Sequence, residues 1–210
     1  MNTPSTKPLA NVTDPGAGMA GLQALISRAH EGSKGLPPVE KWNPPFCGDI
    51  DMEIRADGTW FYMGTPIGRA PLVRLFSTVL RKDEDGKTYL VTPVEKVGIR
   101  IVDAPFLAVE MAVSGQGADA ALTFRTNVGD IVESGCDHPL RFEIEPETGG
   151  LKPYVHVRGR LEALVSRPVM YDLVERGETV TIDGTDWFAV RSSGHVFPVI
   201  ESVKLAELSL

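Results

Sequence analysis

Apolar and polar positions alternate with a period of two over much of this chain. In residues 49–54, Ile50, Met52 and Ile54 interleave with Asp49, Asp51 and Glu53. Asp57-Gly58 then supplies a turn ahead of Trp60-Phe61-Tyr62, which predicts a hairpin. The pattern switches to helical spacing in "APLVRLFSTVLRK", where Leu72, Leu75, Phe76, Val79 and Leu80 form one face behind Pro71. "DEDG" is expected to end that helix, and "KTYLVTP" to return as a strand. From about residue 94 the pattern is nearly all strand. "EKVGIRIVD", "PFLAVEMAVSG", "ALTFRTN", "DIVES" and "LRFEIEP" are short and bounded by Gly, Pro or Asp. "PYVHVRGRLEALVS" starts extended, and its second half fits a strand or a helix. "RPVMYDLVERG" predicts a helix with Pro168 early and Gly177 as its stop, followed by a hairpin about Asp183-Gly184. Near the start, Leu22, Leu25, Ile26 and Ala29 mark an amphipathic helix over 18–31. The proline-rich stretch that follows reads as an ordered loop, because Val39, Trp42 and Phe46 call for burial.

The pattern echoes itself. Arg69 and Pro71 open a helix and Tyr89 follows in a strand; Arg167 and Pro168 open another, and Trp187 follows. Both intervals are 20 positions, a spacing that any strand–helix–strand unit also gives.

Composition narrows the class. At 210 residues the chain holds one large or two small domains, and buries enough surface to fold without a metal or disulfide. Two cysteines, Cys47 and Cys136, form no disulfide framework and fit a reducing, cytoplasmic setting. Residues 1–17, rich in Pro, Thr and Asn, read as a flexible arm rather than a secretory signal, so the Asn11-Val12-Thr13 acceptor pattern carries no weight. A net charge of −7 disfavours non-specific duplex DNA and anionic membranes but leaves room for a local cationic pocket.

Motifs for catalysis are weak. "GQGADA" matches a dinucleotide fingerprint, but a strand follows it instead of a helix, so it reads as a hairpin turn. Asp49, Asp51 and Glu53 share one side of a strand, spaced too widely for a single cation. Cys136 and His138 need not meet even if both are exposed, and His30, His138, His156 and His195 lack zinc spacing. The expectation is a non-enzymatic protein with no cofactor and no metal. The cationic candidates are stronger: Arg125 beside Thr126 and Asn127 at a strand end, Lys96 after Thr92-Pro93-Val94-Glu95, Arg158 and Arg160 beside Tyr154 and His156, and Arg69 before a helix. Such groups fork onto phosphate, while surface ion pairs with Glu95, Asp130 and Glu162 are the plainer reading of each.

Four stretches, "PPVEKWNPPFCGDIDMEIRADGTWFYMGTPIGRAPLVRLFSTVL", "YLVTPVEKV", "LTFRTNVGD" and "HVRGRLEALVSRPVMYDLV", resemble a proteobacterial family of uncharacterised proteins, domain-of-unknown-function family 1285. The resemblance spans roughly residues 20–200. It implies a strand-rich α+β fold of two domains related by duplication, the second a pleckstrin-homology-like barrel. The boundaries expected are 18–92 for the N-terminal α+β domain and 93–210 for the C-terminal β-rich domain. It also implies a nucleotide or nucleic-acid-derived ligand at the domain interface and a role in signal transduction. Mapped onto this chain, Arg125 would take phosphate, Asn127 a base edge or a backbone cap, and Trp42 would stack. Lys96, Arg158, Arg160, Thr92 and His156 would complete the site. Three functions follow from these residues: a ligand-binding sensor, an adaptor that takes a partner protein or peptide through its barrel-like domain, and, last, a hydrolase or transferase built on Cys136, His138 or His156.

Overall fold

The computed structural model describes residues 19–21, 23–24, 26–27 and 35–208, the side chains of Ala118 and Leu208 excepted. The arm expected over 1–17 lies outside the described residues, as do Leu22, Leu25 and Ala29. The described residues of the first expected helix are helical, and Ile26 is fully buried.

The described residues form two six-stranded sheets and one of three strands. Sheet one contains β1 (Phe46–Ile54), β2 (Trp60–Tyr62), β3 (Thr65–Pro66), β4 (Leu80–Lys82), β5 (Thr88–Val91) and β6 (Lys96–Ile101), in the order β3-β2-β1-β6-β5-β4. Sheet two contains β7 (Phe106–Ser114), β8 (Ala121–Thr126), β9 (Ile131–Glu133), β10 (Leu140–Ile144), β11 (Leu151–Arg158) and β12 (Leu161–Val165), in the order β10-β11-β12-β7-β8-β9. In each sheet the first and sixth strands are parallel neighbours at the centre and the other pairs are antiparallel. The two orders are one connectivity read from opposite edges. The expected boundary after Thr92 falls between β5 and β6 of one sheet, and the first sheet closes at Ile101.

The repeat reaches individual residues. Leu80-Arg81 and Lys87-Thr88-Tyr89-Leu90 recur as Leu140-Arg141 and Lys152-Pro153-Tyr154-Val155. Arg81 faces Tyr89 across β4–β5, and Arg141 faces Tyr154 across β10–β11. Each arginine pairs with the acid two positions on, Asp83 and Glu143. Each tyrosine hydroxyl donates to an aspartate, Asp85 or Asp103. This register differs from the echo of Arg69–Tyr89 with Arg167–Trp187. The two helices in that echo sit at different points of the repeat: α1 (Ala70–Ser77) joins β3 to β4, whereas α2 (Arg167–Val174) follows β12.

Helix α1 is shorter than its apolar stripe suggests. It stops at Ser77, where Ser77 Oγ donates to Arg74 O at 2.8 Å and Thr78 Oγ1 to Leu75 O at 2.6 Å, and Val79-Leu80 turn into β4. Back-bonding hydroxyls and β-branched residues compete with the helix there. "DEDG" is therefore the β4–β5 turn, closed by Asp83 N–H to Lys87 O at 3.0 Å. Leu72 and Phe76 carry α1 onto the first sheet, where the Phe76 and Trp60 rings stack at 6.3 Å. Burying a ring of this size stabilises by roughly 1.5–3 kcal/mol. "LEALVS" resolves as strand β12. The hairpin about Asp183-Gly184 is β13 (Glu178–Ile182) and β14 (Thr185–Ser192), extended by β15 (His195–Glu201) and α3 (Ser202–Leu208).

Candidate functional site

The stretch "LTFRTNVGD" ends strand β8 in a tight loop facing the first domain. Thr126 N–H donates to Asp130 O at 2.8 Å, Asp130 N–H to Thr126 Oγ1 at 3.0 Å, and Gly129 takes φ +90°. Asn127 turns away from its own strand. Its N–H donates to Leu107 O at 2.8 Å, its Oδ1 accepts from Leu107 N–H at 3.0 Å, and its Nδ2 donates to Gly58 O at 3.3 Å. Asn127 thus continues the β7 pairing with its side chain and ties it to the β1–β2 turn of the other domain. The backbone-cap role uses both ends of its amide.

Beside that link lies a cleft of ≈ 610 Å³ walled by both domains. Trp60, Pro71 and Arg74 come from the first domain; Arg125, Asn127 and Val128 come from the second. Its lining includes two guanidinium groups and no carboxylate among the described residues. Arg74 is exposed, and its guanidinium has no hydrogen-bond or ion-pair partner among the described residues. It lies against Gly129, where an added Cβ would sit 3.0 Å from its Nη1. Trp60 is 1% exposed, and its indole Nε1 is a buried donor without an acceptor among the described residues. A buried donor left without an acceptor is costly.

The start of α1 offers an anion little. Pro71 has no N–H, and Leu72 and Val73 both donate to Arg69 O, at 2.9 and 3.1 Å. Charge in the cleft therefore comes from side chains. Arg125 is shared with Glu110, its cross-strand neighbour: Nε donates to Oε2 at 2.7 Å, and Nη2 donates to Oε1. The Arg125 hydrogen bond holds the Glu110 carboxyl below its ordinary value, and the same bond raises the guanidinium further.

The remaining predicted residues fall into two other groups. Arg158 spans the seam beneath the cleft: Nη1 donates to Asp130 Oδ2 at 2.6 Å, Nη2 donates to Ser77 O at 2.8 Å, and the guanidinium lies over Phe106. Arg160 crosses to Glu84 at 3.0 Å on the surface. The His156 ring nitrogens face the carbonyls of Asp137 and Gly159, at 2.9 and 2.8 Å, and its ring stacks on His138. The third group belongs to the first domain. Lys96 donates to Asp83 at 3.0 Å over the Tyr89 ring, Thr92 is buried with its Oγ1 accepting from Glu95 N–H at 3.1 Å, and Trp42 O accepts from Arg81 at 2.7 Å. None of these three lines the cleft. The structure thus joins Arg125 and Asn127 and adds Arg74 and Trp60, which pattern reading assigned to a helix and a hairpin. Neither carried a local signal, since both sit in runs whose periodicity already explains them.

The other interdomain clefts are electrostatically balanced. One, of ≈ 630 Å³ on the far side of the Asp57 turn, sets Lys152 and Arg167 against Asp57 and Glu145. Another, of ≈ 250 Å³, is threaded by the Arg141–Glu143 and Arg141–Glu162 ion pairs. Among the described residues no group of three or more His, Cys, Asp or Glu side chains is placed to hold a metal ion, and no helix is long and apolar enough to cross a membrane.

Comparison with known proteins gives the same two-part division. Residues 37–104 match the model "Domain of unknown function (DUF1285), N-terminal domain", and residues 105–199 match "Protein of unknown function (DUF1285), C-terminal domain". The chain matches none of the curated proteins with which it was compared. It is similar to the crystal structure of a DUF1285 family protein from Silicibacter pomeroyi DSS-3, at 52% identity and TM-score 0.79, covering 89% of this chain and 98% of that one. It is also similar to a DUF1285 family protein from Shewanella baltica OS155, at 27% identity and TM-score 0.47, covering 59% of this chain and 90% of that one. With both family models matched end to end across its two sheets, this chain belongs to the DUF1285 family.

Proposed function

We propose that the protein is a non-enzymatic sensor that binds a nucleotide or nucleic-acid-derived anion between its two domains and passes the event to a partner protein in the cytoplasm. One observation carries this reading: Arg74 of the first domain and Arg125 of the second line one cleft with no carboxylate among its described lining residues, in a chain of net charge −7. Two guanidiniums supply forked donors for phosphate, and their planar faces offer stacking surfaces for a base. Trp42 does not line the cleft, so an aromatic stack on it is no part of this site. A ligand gripping both walls couples binding to domain orientation. The matched strand order and the Leu-Arg and Lys-x-Tyr repeats support an origin of the two domains by duplication. Packing of α3 on β14 and β15 supports the pleckstrin-homology-like reading of the second domain.

Thermal melts of wild type, Arg74→Ala and Arg125→Ala against nucleotides and dinucleotide second messengers test it. A ligand at 100 times its Kd adds about 2.7 kcal/mol to stability. A compound that stabilises wild type and neither variant supports the sensor; no stabilisation by any nucleotide removes it.

The adaptor reading rests on one feature. Among the described residues strand β13 (Glu178–Ile182) pairs on one side only, with β14, and an edge strand of this kind can take a peptide by strand addition. A peptide bound there would protect β13 amides from hydrogen exchange, and unchanged exchange in the presence of a bound peptide would exclude this edge.

A further inference from the structure

Arg74 and Arg125 line the same cleft but differ in commitment. The Arg74 guanidinium has no partner among the described residues, whereas Glu110 takes the Arg125 fork with both carboxylate oxygens. We propose that Glu110 is a built-in competitor for the cleft, displaced from Arg125 only by a ligand that carries a polyphosphate. This rests on the cleft being the ligand site.

The exchange is energetically open. The pair is exposed, with side chains 43% and 62% accessible, so solvent screens it and little is lost when it opens. A monoanion satisfies Arg74 and leaves Arg125 on Glu110. A di- or triphosphate has charge for both guanidiniums, and its phosphate forms the same forked contact as the carboxylate it replaces. Because Arg74 and Arg125 belong to different domains, only the ligand that wins this exchange bridges the seam. Glu110 thus grades ligands by charge. It also discriminates against neutral ones, which find Arg125 already paired.

The test uses calorimetric titration of the full chain with pyrophosphate and with inorganic phosphate. Wild type is expected to favour pyrophosphate. Glu110→Gln is expected to tighten pyrophosphate about two- to fivefold, the range an exposed ion pair is worth. That gain is expected to vanish in the Arg125→Ala background. The Glu110 carboxyl resonance gives a second readout: its lowered titration is expected to move up when pyrophosphate is bound. Equal pyrophosphate affinity in wild type and Glu110→Gln overturns the proposal. So does an equal gain with and without Arg125, which would reflect charge at a distance, and so does no pyrophosphate binding to either protein. If nucleotides bind and Glu110→Gln changes nothing, the competitor fails and the sensor stands. If pyrophosphate behaves as expected and no nucleotide binds, the competitor stands and the nucleotide class falls.

Discussion

Asn127 and Gly58 meet across the domain boundary at a distance that admits no side chain on the glycine. Asn127 Nδ2 donates to Gly58 O at 3.3 Å, and a Cβ added at Gly58 would lie 2.6 Å from that nitrogen. Gly58 also sits at φ +78°, where an L side chain is strained. Gly58→Ala is therefore expected to cost about 2 kcal/mol, from strain and from the displaced amide together. Asn127→Ala is expected to cost about 1–2 kcal/mol, because Leu107 N–H and Gly58 O both lose their side-chain partner. Urea unfolding checks both. If Gly58→Ala is as stable as wild type, the turn does not dock on Asn127 as described.

Arg158 makes the other polar link beneath the cleft. It neutralises Asp130, donates to Ser77 O in the last turn of α1, and covers the Phe106 ring. Arg158→Ala leaves a half-buried carboxylate and a helix C-terminal carbonyl without their donor. The expected loss is about 2 kcal/mol, or about 4–8 °C in Tm for a chain of this size. Arg158→Lys is expected to recover less than half, since one ammonium cannot fork between the two acceptors. Calorimetry of the three proteins decides it, and full recovery by lysine would reduce Arg158 to a point charge.

These two links show what could be read from the chain in advance. The hairpin about Asp57-Gly58 was legible, because alternation and turn chemistry are local. So was the polar corner at Arg125–Asn127, as a place of interest. What Asn127 bonds was not legible, since Leu107 and Gly58 are 20 and 69 positions away. Arg74 was hidden inside a helical stripe that its apolar neighbours explain completely. The internal repeat has a different register from the Arg69–Tyr89 and Arg167–Trp187 spacing, because two proline-opened helices are louder in sequence than a Leu-Arg and a Lys-x-Tyr separated by turns of unequal length. Helix α1 ends before its apolar stripe does, because Val79 and Leu80 keep the helical spacing while Val79 lies in the turn and Leu80 opens β4.

The tyrosine that repeats in both domains gives a prediction in alkali. Tyr89 donates to Asp85 Oδ2 at 2.5 Å, and this bond to a carboxylate, with burial behind it, pushes the phenol up to about 12. A raised phenol stabilises the fold fully below its ordinary value of 10.0, and that contribution is lost as the pH rises through about 12. In a spectrophotometric titration of phenolate, Tyr89→Phe should remove a step near pH 12 and Asp85→Ala should bring that step down. A step that ignores Asp85 would leave the hydrogen bond without a role in the shift.

The acid limb is governed by the arginine opposite that tyrosine. Arg81 is buried, with Nε on Asp83 Oδ1 at 2.6 Å and Nη1 on the carbonyls of Val39 and Trp42 at 2.8 and 2.7 Å. It therefore pins the segment that precedes β1, whose regular structure is one 3-10 turn at Val39–Lys41. Its hydrogen bonds, aided by Lys96, hold Asp83 below its ordinary value of 3.8 against the opposing effect of burial. A depressed carboxylate contributes stability above its unfolded pKa, and that contribution is lost as the pH falls through the lower folded value. Asp83→Asn should thus be less stable than wild type at neutral pH, and the gap should close below pH 3.8. Arg81→Lys should cost about 2 kcal/mol at neutral pH, because the ammonium cannot reach the carboxylate and both carbonyls in one plane. Melting curves from pH 7 down to pH 3 test the pair. A gap for Asp83→Asn that stays constant over that range would mean the carboxylate's charge is not what Arg81 holds.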